Sequence, residues 1–182
     1  MAITKITNNS LSSSAAIARD KLADTLAVCS YSNTPNGGFV VNTWEGIPFD
    51  TEVVDTNSAF AEETTDANDA GVFTVPTAGK YLIIVNQIAN CTTTSRLTAA
   101  YIRLVLNTTG NASNGGTEIV GTKSGTLVPD DATNGSATEI AMTTSCIQSF
   151  SAGDKIWSQF YGNCGDGALR AGDGNFSVIQ ID

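Results

Sequence analysis

The sequence predicts an all-β domain, a sandwich or a barrel, and three observations carry that prediction. Charged residues make up only 15% of the 182 positions, against roughly a quarter in ordinary globular chains, while hydrophobic residues reach 41%. Thr, Asn, Ser and Gly stand where the missing charges would be, and these are strand-surface and turn residues rather than helix formers. From Cys29 onward, short apolar-rich runs are separated by turn-forming stretches, with no helical period between them.

The length suits one well-packed domain with a short appendage. Residues 1–27 read as that appendage, an N-terminal arm, and residues 28–182 as the head domain. In "SLSSSAAIARDKLADTLA", Ser caps precede Ala15, Ala16, Ile17, Ala18, Leu22 and Leu26 at helical spacing. A helix of about a dozen residues is marginal alone, so it needs a surface to lie against. Ile17, Leu22 and Leu26 are the expected anchoring residues, docked on the chain's own domain or on a partner.

The strands follow in order. "GGFVVNTW" (37–44) and "FDTEVVD" (49–55) precede the acidic loop "NSAFAEETTDANDAG". Next come "VFTV" (72–75), "KYLIIVNQIA" (80–89) and "LTAAYIRLVLN" (97–107), closed by the loop "TTGNASNGG". "TEIVGT" (117–122) reads as a minor strand and "PDDATNGS" as a loop. "ATEIAMTTSCIQSF" (137–150), the turn "SAGD", "KIWSQFY" (155–161), a glycine-rich loop over 162–175 and "FSVIQI" (176–181) complete the chain.

Alternation within the strands says which faces are wet. Over 137–150, Ile140, Met142, Cys146 and Phe150 oppose a polar set interrupted only by Ile147, as in a strand with one solvated face. Over 97–107, Ile102, Leu104 and Leu106 oppose Arg103 and Asn107, so Arg103→Ala is expected to matter little. Three other strands are apolar on both sides. Tyr81, Ile83 and Val85 oppose Leu82, Ile84 and Ile88; Ile156 and Phe160 oppose Trp157 and Tyr161; Phe176 and Val178 oppose Ile179 and Ile181. Such a sheet needs a second cover, and in an antiparallel sandwich another subunit supplies it. Tyr81, Ile83, Val85, Trp157, Phe160, Phe176 and Ile179 are therefore the expected core or subunit-contact residues, and a charge at Ile83 or Trp157 is expected to break the assembly.

The same stretches resemble a known family. Phe73, Gly79 and Tyr81 followed by alternating apolar residues resemble the signature of the trimeric complement component 1q and tumour-necrosis-factor-like proteins. "IRLVLNTTG" is similar to their strand and Asn-containing turn, and "IQSFSAGDKIWSQF" to their Gly-Asp turn, through Phe150, Gly153, Asp154, Ile156 and Trp157. "FSVIQI" sits where their closing strand lies, so the resemblance spans roughly residues 40–182. It implies a jelly roll of about ten strands assembled as a homotrimer. No Gly-X-Y stalk is present, and the Asn/Asp/Gly loops prevent transfer of any ligand-binding residue. The segment "ITKITNNSLSSSAAIARDKLAD" resembles the Ala/Ser-rich leader of fibre and decoration proteins of bacteriophages, marine ones especially. That resemblance implies a virion-surface protein held to the particle by its arm.

Composition restricts the chemistry. Nine basic residues against eighteen acidic ones give a formal charge of −9, which repels nucleic acid. No apolar run is long enough to insert into a membrane as a helix, and "MAITKITNNSLSSS" lacks a signal-peptide core, so synthesis in the cytoplasm is expected. Histidine is absent, which removes the usual base of a Ser or Cys nucleophile. The pairs Asp130–Asp131 and Glu62–Glu63 lie in loops, where solvated carboxylates outnumber catalytic ones. Asp166 and Asp173 sit among glycines without calcium-loop spacing. Cys29, Cys91, Cys146 and Cys164 read as reduced small hydrophobes, with a Cys91–Cys146 bridge as the alternative and a zinc site as a third reading. No cofactor and no metal are expected.

The leading expectation is thus a non-enzymatic virion structural protein: a trimeric head-fibre, tail-fibre or capsid decoration protein whose arm binds other virion proteins. The alternative is a host-attachment module that recognises a surface glycan or receptor. Its candidate ligand residues are Asn111, Asn114, Asp130, Asp131, Asp166 and Asp173, in loops 108–116, 129–136 and 162–175. A glycan-cleaving enzyme is the third reading.

Overall fold

The computed structural model describes residues 26–31, 39–61, 71–91, 97–107, 115–127, 139–164 and 169–181. Ile17 and Leu22, and with them most of the expected helical arm, lie outside the described residues. Twelve strands occur in order: β1 (Leu26–Tyr31), β2 (Glu45–Gly46), β3 (Thr51–Asp55), β4 (Phe60–Ala61), β5 (Val72–Thr74), β6 (Gly79–Cys91), β7 (Leu97–Asn107), β8 (Thr117–Glu118), β9 (Ser124–Leu127), β10 (Glu139–Phe150), β11 (Lys155–Cys164) and β12 (Leu169–Gln180). They form two antiparallel sheets packed as a sandwich. The first runs β10-β6-β12-β1-β3; the second runs β4-β5-β11-β7-β8, with β2 on β11 and β9 on β7.

Alternation on β6 fixes the core. Tyr81, Ile83 and Val85 are fully buried between the sheets, together with Phe176 and Val178 from β12 and Ile156 and Phe160 from β11. Phe49, Phe60 and Phe176 meet edge-on or tilted, with centroids 5.6–6.5 Å apart. Burial of one such ring contributes roughly 1.5–3 kcal/mol, which is why this cluster and not any surface contact holds the layers together. Tyr81 keeps its polar end satisfied by donating to the Thr77 carbonyl at 2.6 Å.

Pro76 and Gly79, which interrupt the apolar run before β6, lie at its entry. Pro76 falls in the bend between β5 and β6, where no ladder bond is needed from its nitrogen. Beside it, Val75 exchanges bonds with the turn at 151–154: it donates to the Asp154 carbonyl at 2.8 Å and accepts from Gly153 N–H at 2.8 Å. Gly153 holds φ 90°, a conformation that favours glycine.

Four sequence expectations change. Over 39–44, the described part of the strand expected over 37–44, there is a single bridge from Phe39 to Leu169 followed by a turn, because Asn42 takes φ 61° and the Glu45 carboxylate accepts the Val40 N–H at 2.9 Å, drawing the chain round. The described residues of the glycine-rich loop expected over 162–175, 162–164 and 169–175, are strand, part of β11 and β12. Its glycines permit close approach instead of disorder: a side chain at Gly162 would collide with Leu169, and one at Gly174 with Gln87 and the Asn86 backbone. Leu26 and Ala27, assigned to the arm, are the first residues of β1 and pair with Ile179 and Val178. The cysteines expected to be reduced include one disulfide, and it joins Cys91 to Cys164, with Cα atoms 6.2 Å apart, not to Cys146 as in the alternative reading. Both residues are the last of their strands, so the bond ties the end of β6 in the first sheet to the end of β11 in the second. Cys146 is free and half-buried, and burial pushes its thiol up to about 11.

One side of the sandwich is closed by a polar staple. Thr122, buried beside β7, accepts the Leu104 N–H at 3.0 Å and donates to the Ile119 carbonyl at 2.7 Å. The hydroxyl of buried Thr144 on β10 donates to the Thr122 carbonyl, linking the sheets.

Candidate functional site

Two outward faces remain once the core is assigned. On the first sheet, Ile147 of β10, Leu82 of β6 and Ile179 of β12 stand in register across three strands. Directly opposed residues of antiparallel strands share a face, so these form one apolar row. Ile147 is 65% exposed and Ile179 38%, with Leu82 half-buried between them. Leu26 stands opposite Ile179 as the next position of the row, and Ile181, 46% exposed, follows Ile179 just past the end of β12. Two registers further along, the same face turns polar and ordered. Thr143 donates to Asn86 Oδ1 at 2.7 Å, and Asn86 Nδ2 donates to Asn175 Oδ1 at 2.8 Å. The face is therefore an apolar stripe beside a hydrogen-bonded ladder.

The outward face of the second sheet is built differently. Trp157 is fully buried there against Val105 and Val72, and Gly116 lies so close over the indole that any side chain at that position would strike it. The chain thus covers Trp157 itself. Next to it, Gln159 is fully buried and opposite Arg103 in the ladder. Its Oε1 accepts from Arg103 Nε at 3.0 Å and Nη2 at 2.8 Å, while its Nε2 donates to the Gly115 carbonyl at 3.1 Å. Arg103 also pairs with Glu118 at 3.2 Å and lies 4.1 Å from the Trp44 ring centre. Far from being dispensable, Arg103 is the hub of this face, a correction to the sequence expectation. Beyond it, the rings of Trp44, Tyr161 and Tyr101 succeed one another at 5.6 and 6.0 Å. The exposed Lys123 ammonium stands 5.0 Å from Tyr101 and 5.6 Å from Trp44.

Against this geometry, Tyr81, Ile83, Val85, Phe160 and Phe176 lie in the core of a single chain, and Trp157 lies in the smaller cluster beneath Gly116. A charge at Ile83 or Trp157 would therefore unfold the chain rather than separate subunits. Of the seven, Ile179 alone is exposed. Leu82 and Ile147 belong beside it; the signal was Ile147, the single apolar residue on the polar face of its strand. Asp173 sits exposed in β12, within the register shift between Ala171 and Gly174. Asn111, Asn114, Asp130, Asp131 and Asp166 lie outside the described residues. Among the described residues, no cluster of three or more acidic or cysteine side chains is arranged to hold a metal.

Solved structures with the same arrangement of strands include the globular domain of a zebrafish complement 1qA protein. It aligns with a TM-score of 0.55 at 13% identity, over 87% of this chain and 98% of that one. The chain has the C1q/TNF jelly-roll fold. The Eiger TNF of S. frugiperda aligns with a TM-score of 0.51 at 11% identity, over 87% of this chain and 94% of that one. Murine APRIL at pH 5.0 gives 0.50 at 9% identity, over 87% and 99%. No family model and no curated protein matches the sequence. At such identities the likeness concerns the fold.

Proposed function

We propose that this protein is a non-enzymatic, homotrimeric structural head domain that projects from a virus particle and is anchored to it by its N-terminal segment. The observation that carries the assembly is the in-register row Ile147–Leu82–Ile179. An exposed apolar row that runs inward from the edge strand of a sheet is removed from water when another copy of the chain packs on it. At about 25 cal/mol per Å², covering three such side chains in each of three subunits offsets a substantial part of the entropy lost on association. The adjacent Thr143–Asn86–Asn175 ladder gives that contact a fixed polar register.

The virion assignment is supported by the resemblance of the N-terminal segment to phage leaders and by the point at which the chain enters the sheet. That point is Leu26, in register with the apolar row. Because Leu26 lies beside the proposed contact, the segment that precedes it would join all three subunits there, suited to one attachment point on a capsid or tail. The test is deletion of residues 2–25, which stops short of β1. The expected product is a trimer that no longer attaches to particles; attachment that survives the deletion contradicts the anchoring role.

A further inference from the structure

The aromatic face of the second sheet is used neither by the core nor by the proposed assembly, which engages the opposite sheet. Trp44, Tyr161 and Tyr101 are all half-buried, so their positions are fixed while part of each ring reaches the surface. Their planes are tilted by 47° and 51° to one another, giving a curved platform rather than a flat one. The platform is rigid from behind: Arg103 is forked onto buried Gln159, which is tied in turn to the Gly115 backbone. Tyr161 donates to Asn42 Oδ1 at 2.9 Å, setting an exposed side-chain amide at the rim.

Charge narrows the occupant. Arg103 and Lys123 against Glu118 leave one net positive charge here, on a chain whose formal total is −9. The Arg103 charge is committed to Glu118 and the Trp44 ring. The Lys123 ammonium is exposed, and its hold on the two rings is worth only about 0.5–1 kcal/mol at such a site. It can turn to an anionic ligand at small cost.

We propose that this cluster binds an acidic saccharide, with the aromatic platform taking the C–H face of a sugar ring and Lys123 taking its carboxylate. A nucleobase stacks best on a flat, parallel ring, and its phosphates meet the repulsion of the whole chain. A puckered sugar suits tilted rings, and a single carboxylate matches a single net charge. Preorganised rings lose little freedom on binding, which favours a weakly held ligand class of this kind. The site stands whether or not the trimer forms.

The test is calorimetric titration of the full chain with a galacturonic acid trisaccharide, a hyaluronan tetrasaccharide and a sialic acid trimer, each beside an uncharged galactose trisaccharide. At least one acidic saccharide should bind at least tenfold tighter than the neutral one. Lys123→Gln and Trp44→Ala should each weaken that binding tenfold or more, and added salt should weaken it further. Lys123 is exposed, so Lys123→Gln keeps the fold and stays informative even if Trp44→Ala disturbs its turn. Equal binding of the neutral sugar, unaltered binding by Lys123→Gln, or no binding of all three acidic saccharides at millimolar concentration overturns the proposal.

Discussion

Arg103 shows how one side chain can organise a face. Its partner Gln159 is fully buried, and Arg103→Ala would leave Gln159 Oε1 without its two donors. An unsatisfied buried acceptor costs roughly 1–3 kcal/mol, whereas the partly exposed pair with Glu118 adds no more than about 1 kcal/mol. The variant should lose about that much stability in urea denaturation, and Arg103→Lys should not restore it, since an ammonium cannot reproduce the guanidinium fork. In the sequence Arg103 is a single charge in an alternating strand. Its importance depends on pairing with a residue fifty-six positions away, which alternation alone does not reveal. Glu45 is a second such residue. Burial raises its carboxyl pKa, partly opposed by the bond from the Val40 N–H. The folded state therefore holds its proton more tightly than the unfolded chain. Its contribution to stability is full below the unfolded pKa, near 4.5, and is lost as pH rises through the raised folded pKa. Each pKa unit of that rise is worth about 1.4 kcal/mol. Glu45→Gln keeps an acceptor for Val40 and has no charge to bury. It should be more stable than the parent at neutral pH, with the advantage shrinking on acidification; an advantage independent of pH would contradict this.

At the scale of elements, the long strands were legible and the connections less so. β7 matches its apolar run from end to end, β10 lies within its own, and β6 and β11 extend theirs by a few residues, because two-residue alternation with apolar content is a local signal. β1, β4 and β9 carry no such signal: each is held by ladder bonds to a partner strand, so its pairing is decided elsewhere in the chain. The glycines of β11 and β12 misled for a related reason. Glycine is ordinarily a turn residue, yet here its lack of a side chain lets Leu169 and Gln87 pack against backbone. The Cys91–Cys164 bond was equally hidden, since it needs the relative placement of two sheets. Spanning 73 residues, it should contribute roughly 2–4 kcal/mol by restricting the unfolded chain. Cys164→Ala should lower the denaturation midpoint accordingly, while Cys146→Ala should change it much less; equal effects would argue against the pairing.

For the whole molecule, the sequence announced surplus apolar surface but assigned much of it to the wrong cover. Tyr81, Ile83, Phe160 and Phe176 are hidden by the opposite sheet, and Trp157 by the chain's own segment at Gly116. The row left outside on β10, β6 and β12 is narrower: Ile147, Leu82 and Ile179, with Ile181 at the margin. The assembly argument consequently rests on three strands in register instead of on whole two-sided strands. Ile147 is already exposed in the single chain, so Ile147→Asp should leave folding intact and abolish assembly, while Ile83→Asp should abolish folding itself. Sedimentation equilibrium of the unaltered chain beside Ile147→Asp is the most direct test. The account predicts a mass of three subunits for the first and one folded subunit for the second. A parent chain that sediments as a monodisperse monomer, with that row open to water, would contradict it.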